Sequence, residues 1–404
     1  MIPRAAALKA LDQAIEQYAA TIICGLPRVG RSSLLGEWVR SRSNAKFCHS
    51  AAEIQVEPGI FVLDHVELAT VDAIISAIRS AEKNRALTRI VLLPNDLETS
   101  EALRTRISGI SCSITIDPLG IAEVSAEPPV KSLPMGPADE VPEVSEPINS
   151  QVIDPDRHWL RGGLPESLNA DTDTQSLGWR WNMLAGLLAR DYTNWGVERS
   201  TFLENVLRWL ANQNGSELDE TKCPFAKRSE LRSAVYVLER LDLVRRLPNY
   251  PARSSRSLGK NDKVYVRDTG VLHALLGIET SDQLHRHPKI GESFESYAIE
   301  SLIHAADGRC GYQFYREKGD QGENEIDLIL DFPSQNDRLI AIEFKVGQQQ
   351  KAKKGFHIGC TALGVKDEDR FVVHAGGRPE LDQPIPRLDI VTAVDRIRNI
   401  SRRS

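Results

Sequence analysis

A glycine-rich loop between a buried strand and a helix constrains this chain more than any other feature. The run TIIC (21–24) is β-branched and apolar, which predicts a buried strand. A helix is predicted from about Ser32 to Arg40, and between them GLPRVGRS fits the pattern G-x-x-x-x-G-[K/R]-[S/T]. Such a turn exposes backbone N–H groups to phosphate oxygens, and the helix adds the positive end of its dipole. The loop predicts a parallel α/β domain that binds a nucleotide.

This loop departs from the usual pattern at one position. The Ser32 hydroxyl is the expected ligand of Mg²⁺, as in other phosphate loops. The position that usually carries Lys is Arg31, a planar and bulkier cation that does not simply replace an ammonium. We therefore expect ATP binding that is weakened or rearranged. The candidate phosphate-binding residues are Gly25, Arg28, Gly30, Arg31, Ser32 and Ser33.

Two further apolar runs end in polar residues that suit a nucleotide site. Asp64 closes the run FVLD and is the candidate acid for Mg²⁺, while Asn95 follows the run RIVLL and is the candidate γ-phosphate sensor. His65 stands where hydrolysing enzymes usually carry the Glu that positions water. The sequence predicts ATP and Mg²⁺ binding with weak hydrolysis. The simpler alternative is a glycine-rich turn in a doubly wound domain without a ligand.

A second candidate site lies in a predicted β-hairpin near the C-terminus. The segments EIDLIL (325–330) and LIAIEFKV (339–346) alternate apolar and polar side chains, which fixes the register if paired positions sum to 670. Leu328 then faces Ile342, and Asp327 lies opposite Glu343. Because like charges in that position repel, a divalent cation between the two carboxylates is the natural compensation.

These acids and the lysine that follows them match the arrangement known as PD-(D/E)XK. Asp327 and Glu343 are the candidate Mg²⁺ ligands, and Lys345 would orient the attacking water or stabilise the developing phosphorane charge. Glu295, on a predicted helix in GESFESYAIESL, is placed to complete the site. The same register predicts a Glu325–Lys345 cross-strand pair. The alternative is an amphipathic hairpin with one solvated charged face and no function.

A basic segment precedes this site. Residues 245–267 carry a net charge of +6, and two tyrosines are interleaved with the cations. Such a segment can lie along a phosphate backbone and contribute affinity that depends on salt but not on base sequence. The alternatives are a solvated hairpin and a basic surface for a protein partner. The candidate DNA contacts are Arg245, Arg246, Arg253, Arg256, Lys260 and Lys263.

The charge of the whole chain is misleading on this point. Its 404 residues carry a net charge of −6, which argues against nucleic-acid binding. Residues 121–156 alone carry −7 and are rich in proline, so the acidity belongs to a predicted linker or insertion. The apolar runs are too short to span a bilayer, no signal segment follows Met1, and the six cysteines lack metal spacing. We expect a cytoplasmic protein with reduced thiols and no membrane contact, and the sequence leaves a homo-oligomer open.

Taken together, these motifs resemble a prokaryotic family of AAA-type P-loop ATPases with a C-terminal domain of unknown function and restriction-endonuclease-like fold. The family's loop is close to GPRQVGKTTLL, against GLPRVGRSSLL here, and its second motif resembles FLDEIQ, against FVLDHVE here. The segments ITIDPLGIAEV, RGGLPE and ARDY are similar to further family motifs. KVYVRDTGVLHALLG (263–277) resembles a highly specific family signature. GESFESYAIESL, EIDLIL and IAIEFK match the nuclease-like end.

The resemblance implies an α/β chain in five parts. These are an AAA-type P-loop core (1–120), an acidic linker or insertion (121–156), a helical lid-like segment (157–198), a winged helix (199–280) and a PD-(D/E)XK nuclease-like domain (281–404). The expected function is that of an ATP-binding, DNA-associated protein with a metal-dependent nuclease-like domain, whose P-loop domain is a nucleotide switch. The alternative is a non-enzymatic pseudo-ATPase that binds DNA or protein.

Overall fold

The computed structural model describes residues 4–83, 87–125, 153–197, 200–251, 261–319, 322–347 and 351–402. In these ranges the chain forms two five-stranded sheets and one three-stranded sheet. No helix of the described ranges is long and apolar enough to cross a membrane. All six cysteines are free.

The N-terminal part is built on a parallel sheet. Its strands are β1 (Ala20–Cys24), β2 (Ala45–Cys48), β3 (Gly59–Val66), β4 (Thr88–Pro94) and β5 (Ser111–Thr115). Its helices are α1 (Ala5–Gln17), α2 (Arg31–Arg40), α3 (Val71–Lys83), α4 (Leu97–Arg106) and α5 (Ile121–Val124). The strand order is β2-β3-β4-β1-β5, with every pairing parallel. Every residue of β1 is buried because helices cover both faces of the sheet. The predicted α/β class with a parallel sheet is confirmed.

The middle part is mainly helical and contains the small sheet. Its helices are α6 (Pro155–Arg161), α7 (Pro165–Leu168), α8 (Asp173–Leu188), α9 (Ser200–Asn212), α10 (Arg228–Arg240), α11 (Thr269–Leu276) and α12 (Ser281–Arg286). Its strands are β6 (Ser216–Glu217), β7 (Val244–Leu247) and β8 (Lys263–Val266), in the antiparallel order β6-β8-β7. The predicted hairpin of β7 and β8 is present, and β6 adds a strand that the sequence pattern does not indicate.

Two glycine motifs of the middle part pack against each other. A Cβ on Gly162, whose φ is 73°, would lie 2.1 Å from a carboxylate oxygen of Asp268. A Cβ on Gly270 would lie 2.1 Å from the carbonyl oxygen of Arg161. Asp268 accepts hydrogen bonds from the N–H groups of Gly163 (2.8 Å) and Val271 (2.9 Å). The segments RGGLPE and DTG therefore form one tight backbone junction, which needs glycine because the chains approach so closely.

The C-terminal part is built on a mixed sheet. Its strands are β9 (Gly311–Gly319), β10 (Gly322–Phe332), β11 (Arg338–Lys345), β12 (Arg370–His374) and β13 (Arg387–Asp389), in the order β13-β12-β11-β10-β9. Its helices are α13 (Ile290–Ala305), α14 (Lys354–Leu363) and α15 (Ile390–Ser401). Strands β9, β10 and β11 are antiparallel, whereas β11, β12 and β13 are parallel. The predicted hairpin is β10 and β11, and β9 and β13 are additional.

The three parts share their hydrophobic cores. One core joins a face of the parallel sheet to helices α8 to α11 of the middle part. Another joins α6, α7, β7 and β8 to α13 and the C-terminal sheet. The predicted linker 121–156 enters this second core at its ends, where Ile121, Val124 and Ile153 are buried; its residues 126–152 lie outside the described ranges. The middle part thus packs against both sheets at once.

Candidate functional site

The phosphate loop has the backbone that its glycines predict. Gly25 has a φ of 132°, and a Cβ there would lie 2.4 Å from the carbonyl oxygen of Ile116. Gly30 has a φ of 94° and precedes the first turn of α2, which has no side-chain cap. Arg28 is exposed and also left-handed, with a φ of 67°. The loop therefore turns sharply into a helix whose N-terminal end is open to an anion.

Arg31 turns toward the ends of the strands. Its guanidinium donates to the carbonyl oxygens of Ile23 (3.4 Å) and Pro94 (3.3 Å), at the carboxyl ends of β1 and β4. Burial lowers the pKa of Arg31 below its usual value, although a guanidinium remains charged. Ser32 and Ser33 are exposed on the first turn of α2. The cation is therefore held by protein carbonyls, in the region where a phosphate-loop lysine would contact phosphate.

The residues predicted to hold Mg²⁺ and sense phosphate lie in a distorted part of β3. The pairing of β3 with β4 shifts between Leu63 and Val66, and His65 has a φ of 58°. The half-buried Asp64 carboxylate accepts the N–H of His65 at 2.8 Å. Nδ1 of His65 lies 3.0 Å from Oδ1 of Asn95, and Nδ2 of Asn95 donates to the His65 carbonyl at 3.3 Å. Asn95 is thus hydrogen-bonded to His65, which stands at the position of the expected water-positioning Glu.

An open cleft with a cavity volume of about 120 Å³ lies beside the loop. Gly25, Arg31 and Asn95 line it, whereas the other predicted phosphate-site residues, including Asp64, do not. Arg190, at the end of α8, also lines the cleft and donates to the Asn95 carbonyl at 2.9 Å. Residues of the middle part therefore complete the cleft, which the sequence analysis missed. The motif ARDY (189–192), noted above only as part of the family resemblance, contains Arg190 and could have indicated its role.

Cations other than Arg31 also line this cleft. Arg104 donates to Sγ of Cys24 at 3.2 Å, and Arg240 pairs with Glu101. With Arg31 and Arg190, these side chains bring four guanidinium groups to the lining of the cleft. Three carboxylates, Asp96, Glu239 and Asp242, line the same cleft, so the four guanidinium groups leave only a small excess of positive charge for an anionic ligand.

The hairpin register is confirmed from Leu328 to Phe332, but the pairings that it predicts for Ile326 with Phe344 and for Asp327 with Glu343 do not form. Leu328 pairs with Ile342, and Leu330 pairs with Ile340, as predicted. The ladder ends at Leu328, because the Asp327 carboxylate itself accepts the N–H of Phe344 at 2.9 Å. The pairing of β10 with β9 also shifts between Ile326 and Ile329. Asp327 is therefore turned into the gap between the strands and is not a direct cross-strand partner of Glu343.

Glu295, the predicted helix acid, does contact the end of this hairpin. It lies on α13 and accepts hydrogen bonds from Lys263 (3.2 Å) and Tyr265 (2.5 Å) of β8. The Nζ atom of Lys263 also lies 2.9 Å from Glu325. Burial, together with the charge of Glu295, raises the pKa of Asp327 to about 6. These acids influence one another, but a lysine stands between them.

Glu343 and Lys345 form a separate pair on β11. Nζ of Lys345 lies 2.5 Å from Oε1 of Glu343, and the N–H of Lys353 donates to Oε2 at 2.9 Å. Glu343 is 3% exposed, and burial raises its pKa, with a smaller contribution from Asp327. The predicted Glu325–Lys345 pair is wrong, since Glu325 pairs with Lys263 and Arg316. Across the described ranges, no three His, Cys, Asp or Glu side chains are arranged to hold a metal ion.

The basic segment is more buried than its charge suggests. Arg245 makes a two-pronged ion pair with Glu300, and Arg246 is exposed and lies 2.8 Å from Glu239. Lys263 is 2% exposed and bound by carboxylates. The predicted DNA contact at Lys263 is therefore wrong, and Arg245 is half-buried and already paired. Arg253, Arg256 and Lys260 lie outside the described residues, so their predicted role stays a prediction.

Two family models match this chain, and both describe domains of unknown function. DUF8612 covers residues 153–282 and DUF4143 covers residues 290–393. Uncharacterized proteins of Mycobacterium tuberculosis and Mycobacterium bovis are each 33% identical to the chain over 151 residues, or 36% of this chain. Those residues are 34% of each relative, so the match spans about a third of the length of the curated relatives.

The solved structures that are similar to the chain include two ATPases. The Walker-type ATPase of Pyrococcus abyssi has a TM-score of 0.45 at 12% identity, covering 68% of this chain and 96% of that one. A signal transduction ATPase with numerous domains and a tetratricopeptide repeat sensor, from Pyrococcus horikoshii, has a TM-score of 0.30 at 10% identity, covering 75% and 48%. Both likenesses are distant, with TM-scores below 0.5 and identities of 12% or less.

Proposed function

We propose that the cleft beside the phosphate loop binds a nucleoside triphosphate, with ATP and Mg²⁺ as the expected ligands. The observation that supports this most is the open end of α2, reached by a loop whose Gly25 is packed against the Ile116 carbonyl. The Ser32 hydroxyl and the Asp64 carboxylate are hard oxygen donors of the kind that Mg²⁺ prefers. Arg190 would meet the nucleotide from the middle part of the chain.

In this proposal the nucleotide acts as a switch, and its hydrolysis is slow. Arg31 is held by two strand carbonyls and would have to exchange them for phosphate. His65 stands where a water-positioning carboxylate is expected and is engaged with Asn95. Neither position supports a fast turnover, whereas the open helix end and the arginines suit binding.

Calorimetry with Mg²⁺ and ATP tests the first half of the proposal. We expect binding by the wild-type chain that weakens at least tenfold in Arg190→Ala, which lines the cleft from the middle part. Glu98→Ala, on the exposed side of α4, is the matched control and should bind like the wild type. No heat with any nucleotide would reject the proposal. Phosphate release that is fast and lost on Asp64→Ala would reject the slow-switch part of it.

We also propose that the C-terminal part is a nuclease-like domain associated with DNA. In support, Asp327 accepts the N–H of Phe344, which lies between Glu343 and Lys345 on β11, and the charge of Glu295 on α13 reaches Asp327. Three exposed lysines follow β11, of which Lys353 donates its N–H to Glu343. Helices α9 and α10 with the β6-β8-β7 sheet fit the predicted winged helix, and α13 with β9 to β12 and α14 fits a restriction-endonuclease-like order.

DNA cleavage with Mg²⁺ or Mn²⁺ tests this second half. Cleavage lost in Lys345→Ala, and kept in the exposed control Lys366→Ala, would support the proposal. The alternative is a pseudo-ATPase whose C-terminal part binds DNA or protein without catalysis. It is favoured by the ion pairs that already neutralise the carboxylates. Salt-dependent DNA binding without cleavage of any substrate would select the alternative.

A further inference from the structure

The segment RGGLPE (161–166) of the middle part lies directly against the phosphate loop. A Cβ built on Gly30 would lie 3.9 Å from Cγ of Pro165, which is ordinary van der Waals contact. Gly30 is the last glycine of the loop and immediately precedes α2. The ring of Pro165 therefore covers the end of the loop at which α2 begins.

The backbone of this segment is fixed on two sides. The carbonyl oxygen of Gly163 accepts the N–H of Leu119 at 2.8 Å, and the N–H of Gly163 donates to Asp268 at 2.8 Å. A Cβ on Gly163 would collide with the carbonyl oxygen of Leu119. Leu164 is fully buried in the core that also contains Leu26 of the loop. The residues that follow are therefore held at a defined place beside the loop.

Glu166 is the polar side chain that this segment leaves open to solvent. Its neighbours are engaged, since the Ser167 hydroxyl donates to the Arg161 carbonyl at 2.7 Å and Asn169 donates to the Pro165 carbonyl at 2.8 Å. Glu166 itself is exposed, and in the part of the chain that the structure describes no hydrogen bond or ion pair engages its carboxylate. Most exposed glutamates are simply solvated, and what distinguishes this one is its place next to the loop.

The cleft beside the loop is large enough for phosphates but not for a whole nucleotide. Its volume of about 120 Å³ is well below the ~300–1,000 Å³ of pockets that enclose a drug-sized ligand. Gly25, Arg31 and Asn95 line it, whereas Pro165 and Glu166 do not. A nucleotide whose phosphates enter this cleft leaves its sugar and base outside it, and the segment that covers the start of α2 is then the nearest part of the chain.

A free carboxylate in this place suits a nucleoside better than a phosphate. An ionised carboxylate only accepts hydrogen bonds, and its charge repels phosphate oxygens. A nucleoside offers the donors that a phosphate lacks, namely the ribose hydroxyls and, in adenine, the exocyclic amino group. Binding of a ribose hydroxyl by an acidic side chain is an established way to hold a nucleotide.

We propose that Glu166 recognises the nucleoside of the bound nucleotide by accepting a hydrogen bond from one of these donors. Pro165 is the positioning residue, because its ring rests on the loop and fixes the start of the turn that carries Glu166. This inference rests on the proposed nucleotide binding. It gives the segment RGGLPE a ligand contact, separate from the phosphate contacts of the loop.

Calorimetry with ATP and with inorganic tripolyphosphate, each with Mg²⁺, tests the proposal. We expect Glu166→Ala to bind ATP at least fivefold more weakly than the wild type, because a hydrogen bond to a charged acceptor is lost. Its affinity for tripolyphosphate, which has no nucleoside, should be unchanged. Glu166→Gln keeps an acceptor oxygen and should recover part of the ATP affinity. Glu37→Ala, at an exposed position on α2, removes the same charge and should bind both ligands like the wild type.

Two nucleotide analogues distinguish the possible donors. If the ribose is the donor, 2′,3′-dideoxy-ATP should bind the wild type as weakly as ATP binds Glu166→Ala. If the base amino group is the donor, inosine triphosphate, which lacks it, should show that loss. Wild-type affinity for both analogues would overturn the proposal.

The remaining outcomes separate this inference from the proposed function. No heat from the wild type with either ATP or tripolyphosphate would reject nucleotide binding itself. Tripolyphosphate binding as tight as ATP binding would reject only the nucleoside contact. Equal ATP affinity in Glu166→Ala and the wild type would overturn the role of Glu166. Tighter binding of both ligands by Glu166→Ala and Glu166→Gln would also overturn it, because the carboxylate would then face the phosphates. Surface substitutions of this kind change stability by about 0.5 kcal/mol or less, so all variants are expected to fold.

Discussion

Replacing Gly25 by alanine tests whether the phosphate loop depends on close backbone packing. The new Cβ would lie 2.4 Å from the carbonyl oxygen of Ile116, closer than 3.0 Å, which Cβ atoms in proteins essentially never show. The φ of 132° at this position is also strained for any residue with a side chain. The N–H of Ile116 donates to the Cys24 carbonyl at 2.9 Å, so the two backbones cannot separate without losing this bond.

The magnitude follows from these contacts. A strained backbone costs about 1–3 kcal/mol, and overpacking in a buried site costs about 1–3 kcal/mol more. The whole effect is therefore about 2–6 kcal/mol, which the chain can lower only by moving the loop away from the end of α2. Either outcome removes the phosphate site, because the N–H groups of the helix end no longer face the same point as the loop.

Gly36→Ala provides a matched control in the same segment. Gly36 lies within α2, and a Cβ there would meet no atom within 4 Å. Alanine is favoured over glycine in a helix interior by about 1 kcal/mol, so this variant should be slightly more stable than the wild type. The two substitutions are chemically identical and are expected to have opposite effects.

Thermal unfolding and calorimetry with Mg²⁺ and ATP measure both effects. We expect Gly25→Ala to unfold at a temperature lower by roughly 2–7 °C and to lose measurable ATP binding, while Gly36→Ala keeps both. Wild-type stability and ATP affinity in Gly25→Ala would refute the packing argument. A similar loss in Gly36→Ala would show that any added methyl group disturbs the loop.

Three further substitutions test other parts of the structure. Arg31→Lys should bind Mg²⁺ and ATP about 3–10-fold more tightly by calorimetry, because an ammonium replaces a guanidinium held by strand carbonyls; unchanged affinity would contradict this. Burial opposes the charge of His304, but Asp117 and Glu123 raise its pKa to about 10, so its stabilising effect is complete below pH 6.5 and lost as the pH rises through 10. The difference in melting temperature between wild type and His304→Gln should therefore shrink from pH 6 to pH 10, and a constant difference would count against these ion pairs. Asp268→Ala should lower stability by about 2–4 kcal/mol in denaturant unfolding, because two buried N–H groups lose their acceptor, and Asp268→Asn should recover part of it; equal losses in both variants would argue against hydrogen bonding as the cause.

Strands with a continuous apolar run, or with a regular apolar–polar alternation, were predicted correctly from the sequence. The runs TIIC, FVLD and RIVLL became β1, β3 and β4, since buried parallel strands are continuous apolar runs. The alternation in EIDLIL and LIAIEFKV gave the correct pairing of Leu328 with Ile342. Strand β2 escaped prediction because it is a short edge strand on which Lys46 and Phe47 are exposed, so its sequence carries little apolar signal.

The environment of Lys263 could not be predicted in the same way. A count of charges treats every lysine as solvated, yet all four residues of β8 are buried because the strand lies between the middle part and α13. The partners of Lys263, Glu295 and Glu325, lie 32 and 62 residues further along the chain, and no local periodicity connects them. The orientation of Asp327 toward the Phe344 N–H could not be predicted for a related reason. The pairing of β10 with β9 is irregular between Ile326 and Ile329, and such an irregularity changes the direction of a side chain without changing the sequence pattern.

A single guanidinium connects the parts that the sequence separates. Arg267 contacts Asp117 after the parallel sheet, Asp242 after α10 and Glu300 on α13, at 2.6, 2.8 and 3.1 Å. Burial alone would lower its pKa, but these carboxylates outweigh burial and raise it, so the side chain is a fixed cation. Breaking such a buried pair leaves a charge uncompensated, at a cost of about 3–5 kcal/mol. A rearrangement at the cleft that pulls on Asp242 must therefore either carry β8 and α13 with it or exchange one acid for another ligand. In both cases the cleft beside the phosphate loop and Glu300 of α13 are linked by charge and not only by packing.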